Sequence, residues 1–174
     1  AAVPAAVSFA AAASQGSSTA YTFSGHSIGA AAADRKVVVT VHGFGATVAA
    51  LTVSTLTVGG ISASFIVRQR IGGTGDHGVE IWQADVPTGT TADVVVTFAA
   101  AMDGCGIGTF AVTGAAAAAN DTAVDTADPG SAALTIPAKG VAIGCAIQFN
   151  VSSTWTWTNL TEKHESALPI TTIT

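Results

Sequence analysis

Residues 104–114 read Gly104-Cys105-Gly106-Ile107-Gly108-Thr109-Phe110-Ala111-Val112-Thr113-Gly114. A strand sends successive side chains to opposite faces, which splits this stretch into two sets. Gly104, Gly106, Gly108, Phe110, Val112 and Gly114 share one face; Cys105, Ile107, Thr109, Ala111 and Thr113 share the other. Three successive glycines on the first face, Gly104, Gly106 and Gly108, leave bare backbone, a weak point in a sheet unless something large lies across it. The expectation is a central strand whose flat half is covered by a bulky neighbour. Trp155 and Trp157, on one face of a short β-like run, are the natural cover.

The composition agrees with a sheet protein. Apolar residues make up 49% of the 174 and charged residues only 10%, against about 25% charged in an ordinary globular domain. Such a chain is too apolar and too poor in charge for disorder. Its apolar content is mostly Ala and Val, with Thr and Gly throughout. Val and Thr are stiff, β-branched residues that suit a pleated surface, while the helix formers Leu, Glu, Lys and Gln are scarce. The length suits one domain, 1–174, with residues 1–18 as a candidate extended N-terminal arm.

Charge and cysteines exclude several partners. The net charge is −5, and Arg35, Lys36, Arg68, Arg70, Lys139 and Lys163 are scattered; no basic stripe tracks a nucleic-acid backbone. Low charge leaves much of the surface to small neutral residues, which suits a subunit that meets other protein. Cys105 and Cys145 each follow a glycine in a β-like run and read as small buried thiols. A disulfide between them requires adjacent strands, and no Cys/His spacing suggests zinc. No apolar run reaches the ~18 residues of a membrane span. The start, Ala1-Ala2-Val3-Pro4, reads as a cytoplasmic product trimmed of its initiator Met, a processed secretory form being the alternative.

Taken in order, the chain offers strands at Ala6–Phe9, Tyr21–Phe23 and Lys36–His42, with an Ala run and a Ser-rich loop after the first. In Lys36–His42 both faces are partly apolar, the mark of a central strand. Gly59-Gly60 supplies positive φ angles for a two-residue hairpin turn joining Leu51–Val58 to Ile61–Arg68. That hairpin would pair Val58 with Ile61, Thr57 with Ser62, Leu56 with Ala63, Thr55 with Ser64 and Thr52 with Val67. Ile71–Gly78 reads as a loop. Val79–Val86 carries Trp82, Ala84 and Val86 together, and Ala92–Phe98 carries Val94, Val96 and Phe98 together. Leu134–Ile136, Val141–Phe149, Thr154–Thr158 and Ile170–Thr174 complete the set. About eleven short strands with regular turn signals predict an all-β, two-sheet antiparallel sandwich of jelly-roll type.

Two fragments invite an enzyme reading. Gly25-His26-Ser27-Ile28-Gly29 matches the G-x-S-x-G nucleophile elbow, and Val41-His42-Gly43-Phe44-Gly45 resembles the oxyanion segment of lipases. A small serine esterase using Ser27 is therefore one alternative. Its context is wrong: the His-Gly segment should precede the nucleophile, and an elbow needs a strand before it and a helix after it. Asn120, Asp121, Asp125 and Asp128 share a loop that offers oxygen ligands without EF-hand spacing. His26, His42, His77 and His164 form no ligand spacing. Trp155 and Trp157, if exposed, would stack on sugar rings, the basis of a carbohydrate-binding alternative. No catalytic, cofactor-binding or metal-binding set is assigned.

Several segments combine into a wider pattern. They are Tyr21–Gly29, Ala33–Val39, Leu56-Thr57-Val58-Gly59-Gly60-Ile61, Ile81–Thr90, Val94–Phe98 and Gly106–Gly114. Together, over roughly residues 18 to 160, they resemble small β-sandwich proteins encoded among the virion genes of tailed phages, prophages and gene transfer agents. The resemblance implies a structural or accessory virion protein, as capsid decoration, tail or fibre component. Its partners would be other virion proteins and copies of itself, with a host-surface glycan in the alternative reading. Such a protein would be made in the host cytoplasm and would carry no cofactor.

Overall fold

A computed structural model of the chain describes residues 5–45, 47–73, 76–127, 131–147 and 157–163. Among these, nine strands and no helix occur: β1 (Ala6–Gln15), β2 (Ser18–Ser27), β3 (Lys36–Gly45), β4 (Val53–Val58), β5 (Ile61–Ser62), β6 (Ser64–Ile71), β7 (Asp76–Asp85), β8 (Thr91–Met102) and β9 (Gly104–Thr113). They form a five-stranded sheet, β1-β9-β3-β7-β6, and a four-stranded sheet, β2-β8-β4-β5. Every pairing is antiparallel.

The ladders nest. β1 pairs with β9, β2 with β8, β3 with β7 and β4 with β5; the β9–β3 and β8–β4 ladders close the two sheets. A long hairpin rolled up on itself gives this order, which is the jelly roll the turn spacing predicts, with β6 added at one edge.

The core lies between the sheets and follows the alternation. Val37, Val39 and Val41 of β3, Trp82 and Ala84 of β7, Val94, Val96 and Phe98 of β8, Tyr21 and Phe23 of β2, and Cys105 and Ile107 of β9 are all buried there. Both predicted central strands are central: β3 lies between β7 and β9, and β9 between β1 and β3. The face of the five-stranded sheet that points away from the core is also dry. Val38, Thr40, Phe44 and Val112 on it are buried. The chain beyond β9 is fixed at both sides of this face: Gln83 Nε2 donates to the Ala117 carbonyl at 2.9 Å, and Ala5 N–H to the Lys139 carbonyl at 2.9 Å.

Four readings of the sequence change. The Gly59-Gly60 turn forms with positive φ at both glycines, and Val58↔Ile61 and Thr57↔Ser62 pair as expected. The hairpin then stops. After Ala63 N–H bonds to the Leu56 carbonyl, the chain leaves for the other sheet, where Ser64 lies opposite Gln83 and Val67 opposite Ile81. Thr55–Ser64 and Thr52–Val67 are therefore not pairs. The loop expected over Ile71–Gly78 shrinks, because β6 runs to Ile71 and β7 begins at Asp76.

β1 continues through the Ala run to Gln15, against the expected loop, since alanines can lie flat beside glycine-rich β9: Ala12 faces Gly108 and Ser14 faces Gly106. Finally, Leu134–Ile136 and residues 141–147 and 157–158 carry no ladder. A segment laid across a sheet face meets side chains and finds no backbone to pair with. Residues 148–156 and 164–174, with the strands expected there, lie outside the described residues.

Candidate functional site

The four-stranded sheet ends early. β5 is only two residues long, so beyond it the inner face of β6 overhangs the sandwich. In the β6–β7 register, Phe65 lies opposite Trp82, Arg68 opposite Glu80 and Arg70 opposite Gly78. These three β6 residues therefore share the overhanging face, although a bulge separates Phe65 from Val67. A groove of about 560 Å³ runs here, lined by Val48, Phe65, Ile66, Val67, Arg68, Gln69 and Arg70.

One buried carboxylate, bonded to the groove residue Arg68, ties the neighbouring strands together. Glu80, 2% exposed, accepts from the Val53 N–H at 3.0 Å and from Arg68 Nε through one oxygen, and from Trp82 Nε1 at 2.7 Å through the other. Three strands, β4, β6 and β7, meet on that group. A buried carboxylate is tolerable only when paired and bonded in this way.

Above it, Phe65 is 47% exposed. The Arg68 guanidinium sits 4.9 Å from its ring centre, and Trp82 meets it edge-on at 5.4 Å and 71°. Arg70 Nη1 donates to the Val48 carbonyl at 3.3 Å and to Thr52 Oγ1 at 2.7 Å. The site is thus a strand edge, unpaired among the described residues, that carries a fixed aromatic ring and two guanidinium groups. It can hold extended backbone and acidic groups.

The residues singled out from sequence are placed elsewhere. Ser27 is the last residue of β2 and lies opposite Thr91; its carbonyl accepts from Thr109 Oγ1 at 2.8 Å. The chain leads from it into a loop and then strand β3, without the helix an elbow requires. His42 sits on the other sheet, on the face away from the core, in register with Gly106 and Val79. His77, opposite Phe44, shares that face diagonally with His42.

His26 is buried between β1 and β2, where its Nε2 has no hydrogen-bond partner. Burial holds its pKa below the ordinary histidine value, against a weaker opposing pull from the Ala11 backbone. His164 lies outside the described residues.

Asp121 accepts from the backbone N–H groups of Thr122 and Thr135, and Asp125 from those of Ala127 and Ser131. These bonds hold both carboxyls below the usual carboxylate range. They are turn clamps that tie Asn120–Asp125 to residues 131–135. Asp128 is outside the described residues, and no cluster of three metal-ligating side chains occurs among those described.

Cys105 and Cys145 are both free, and burial pushes both thiols up, that of Cys145 to about 12. Cys105 is the buried thiol expected, whereas Cys145 is only half-buried. At Gly108, a Cβ would meet Thr40 Oγ1 at 2.8 Å and the rings of Phe110 and Phe9 at 3.9 Å. Those rings, edge to face at 5.4 Å, cover this glycine from inside the sheet. Trp157 packs where a Gly144 Cβ would be, at 3.4 Å, and Trp155 lies outside the described residues.

Sequence reasoning missed the β6 edge because it placed 61–68 in one hairpin. The available signal was Arg68-Gln69-Arg70, two of only six basic residues on one strand face. It also missed Arg35. This side chain is 1% exposed and donates to the carbonyls of Val86 (2.7 Å), Gly29 (2.8 Å), Gly89 (2.9 Å) and Thr88 (2.7 Å).

No family model, curated protein or solved structure matches the chain.

Proposed function

We propose that this chain is a structural or accessory subunit of a phage or phage-like particle, a capsid decoration, tail or fibre component, that works through protein–protein contacts. The observation that carries the reading is the β6 edge. An unpaired edge strand invites pairing by another chain, and natural proteins guard such edges with charge, proline or bulges. Here the bulge after Phe65 and the charges of Arg68 and Arg70 are the guards, and the strand still presents an exposed ring beside an open groove. In a chain with only 10% charged residues, such an edge serves better covered than bare. Jelly rolls build viral shells as well as lectins, an analogy of fold that supports the proposal.

The test is quantitative mass spectrometry of particles purified from the source cells by density gradient. The reading predicts this chain in the particle band, at fixed stoichiometry to the most abundant shell or tail protein through repeated sedimentation. Recovery solely from the soluble fraction overturns it.

A further inference from the structure

Resting on the protein-contact reading, we propose that the β6 edge docks an extended, carboxylate-bearing segment of a partner protein, which joins the five-stranded sheet as a sixth strand. β6 ends the strand order β1-β9-β3-β7-β6, so among the described residues no strand takes the other side of its backbone, which is where strand addition occurs. Charge selects the occupant. The chain is net negative at −5, yet two of its six basic residues stand on this one strand face.

Arg70 is held in place by the Val48 carbonyl and Thr52 hydroxyl, and no carboxylate contacts it among the described residues. Arg68 shares Glu80 with two other donors. Each guanidinium has five N–H donors, so both retain capacity for an acidic side chain in the paired fork geometry that arginine favours. Phe65, fixed by Trp82 and Arg68, supplies an anchor whose conformation is already set before binding. The same charges argue against a second copy seated edge to edge: antiparallel β6 strands would bring Arg68 and Arg70 of both copies together.

The experiment uses the full chain and a capped peptide of alternating threonine and valine with one central glutamate, plus its glutamine and lysine counterparts. Binding is read by fluorescence anisotropy at low and high salt, and its place by amide hydrogen exchange. The glutamate peptide should bind at least about fivefold more tightly than the glutamine peptide, lose that margin in high salt, and protect amides 64–71. Arg70→Glu should reverse the order in favour of lysine, and Arg70→Gln should at least halve the preference while unfolding stays cooperative, with a stability loss no larger than its two hydrogen bonds to Val48 and Thr52 account for. Equal binding of all three peptides, protection away from β6, or no binding overturns the proposal. If the chain is found in particles while the peptides show no carboxylate preference, only this inference falls. Carboxylate-selective docking by a chain absent from particles removes the virion reading alone.

Discussion

Replacing Arg35 tests whether the loop end of the sandwich is held by a buried guanidinium acting through backbone carbonyls alone. Arg35 immediately precedes β3 and reaches the loop before it at Gly29 and the β7–β8 loop at Val86, Thr88 and Gly89. Its bond to the Val86 carbonyl is fully buried, while the other three are partly buried. In Arg35→Ala the Val86 carbonyl loses its partner where water cannot replace it, about 1–3 kcal/mol, and each partly wet carbonyl loses about 0.5–1 kcal/mol.

The packed stem of the side chain is lost as well, so about 3–6 kcal/mol is expected in total. Arg35→Lys keeps the charge but offers its donors from a single atom, which cannot span carbonyls fanned around a planar fork. About 1–3 kcal/mol is expected there. Urea denaturation at pH 7 measures both, with the slope of unfolding unchanged. An alanine variant within about 1 kcal/mol of the parent would refute the clamp. A lysine variant as stable as the parent would show that charge alone, without the fan of donors, is what matters.

Three further outcomes follow from the geometry. Glu80→Gln keeps the shape but removes the charge beside Arg68 and turns an amide N–H₂ against either the Trp82 N–H or the donors from Val53 and Arg68; a loss of about 2–4 kcal/mol in denaturant is expected, and under about 0.5 kcal/mol would contradict the hub. His26 has its folded-state pKa held below the ordinary 6.5 by burial, so the unfolded chain takes up the proton first. Stability should fall as pH drops below about 6.5; His26→Leu should flatten that slope, and an unchanged slope between pH 7 and 5 refutes the assignment. Gly29→Ala meets both a positive φ of 78° and a Cβ 2.6 Å from that of Ala111, whereas Gly25→Ala meets a φ of 60° and open space. Denaturation midpoints should place the first about 1–3 kcal/mol below the parent and clearly below the second, so equal losses would count against the close approach.

The sequence spoke most clearly where the alternation of side chains alone decides the outcome. Val37, Val39 and Val41 flanked by a second partly apolar face announce β3 as central, and Val94, Val96 and Phe98 announce the inner face of β8. Gly59-Gly60 announces its turn because only positive φ suits it. The sheet switch at Ala63 had no such mark, since the alternation runs through Ile61–Arg68 whichever sheet receives it. The bulge between Phe65 and Val67 shows only in the ladder. β1 was half hidden because alanine favours no sheet by itself; its place follows from the glycines across the ladder. Arg35 and Glu80 escaped for a different reason. Apart from Trp82, two residues from Glu80 on the same strand, their partners are loop carbonyls, the Val53 N–H and Arg68, brought in from elsewhere in the fold, and spacing along the chain carries no trace of them.

The central claim is that this jelly roll works covered by other protein, and electron cryo-microscopy of the purified particle tests it most directly. The account predicts density for many copies, each with its β6 edge against a neighbouring chain and well over about 1,000 Å² buried in total. Particles without this density, or copies touching their neighbours through less than about 800 Å² with the β6 edge open to solvent, would contradict it.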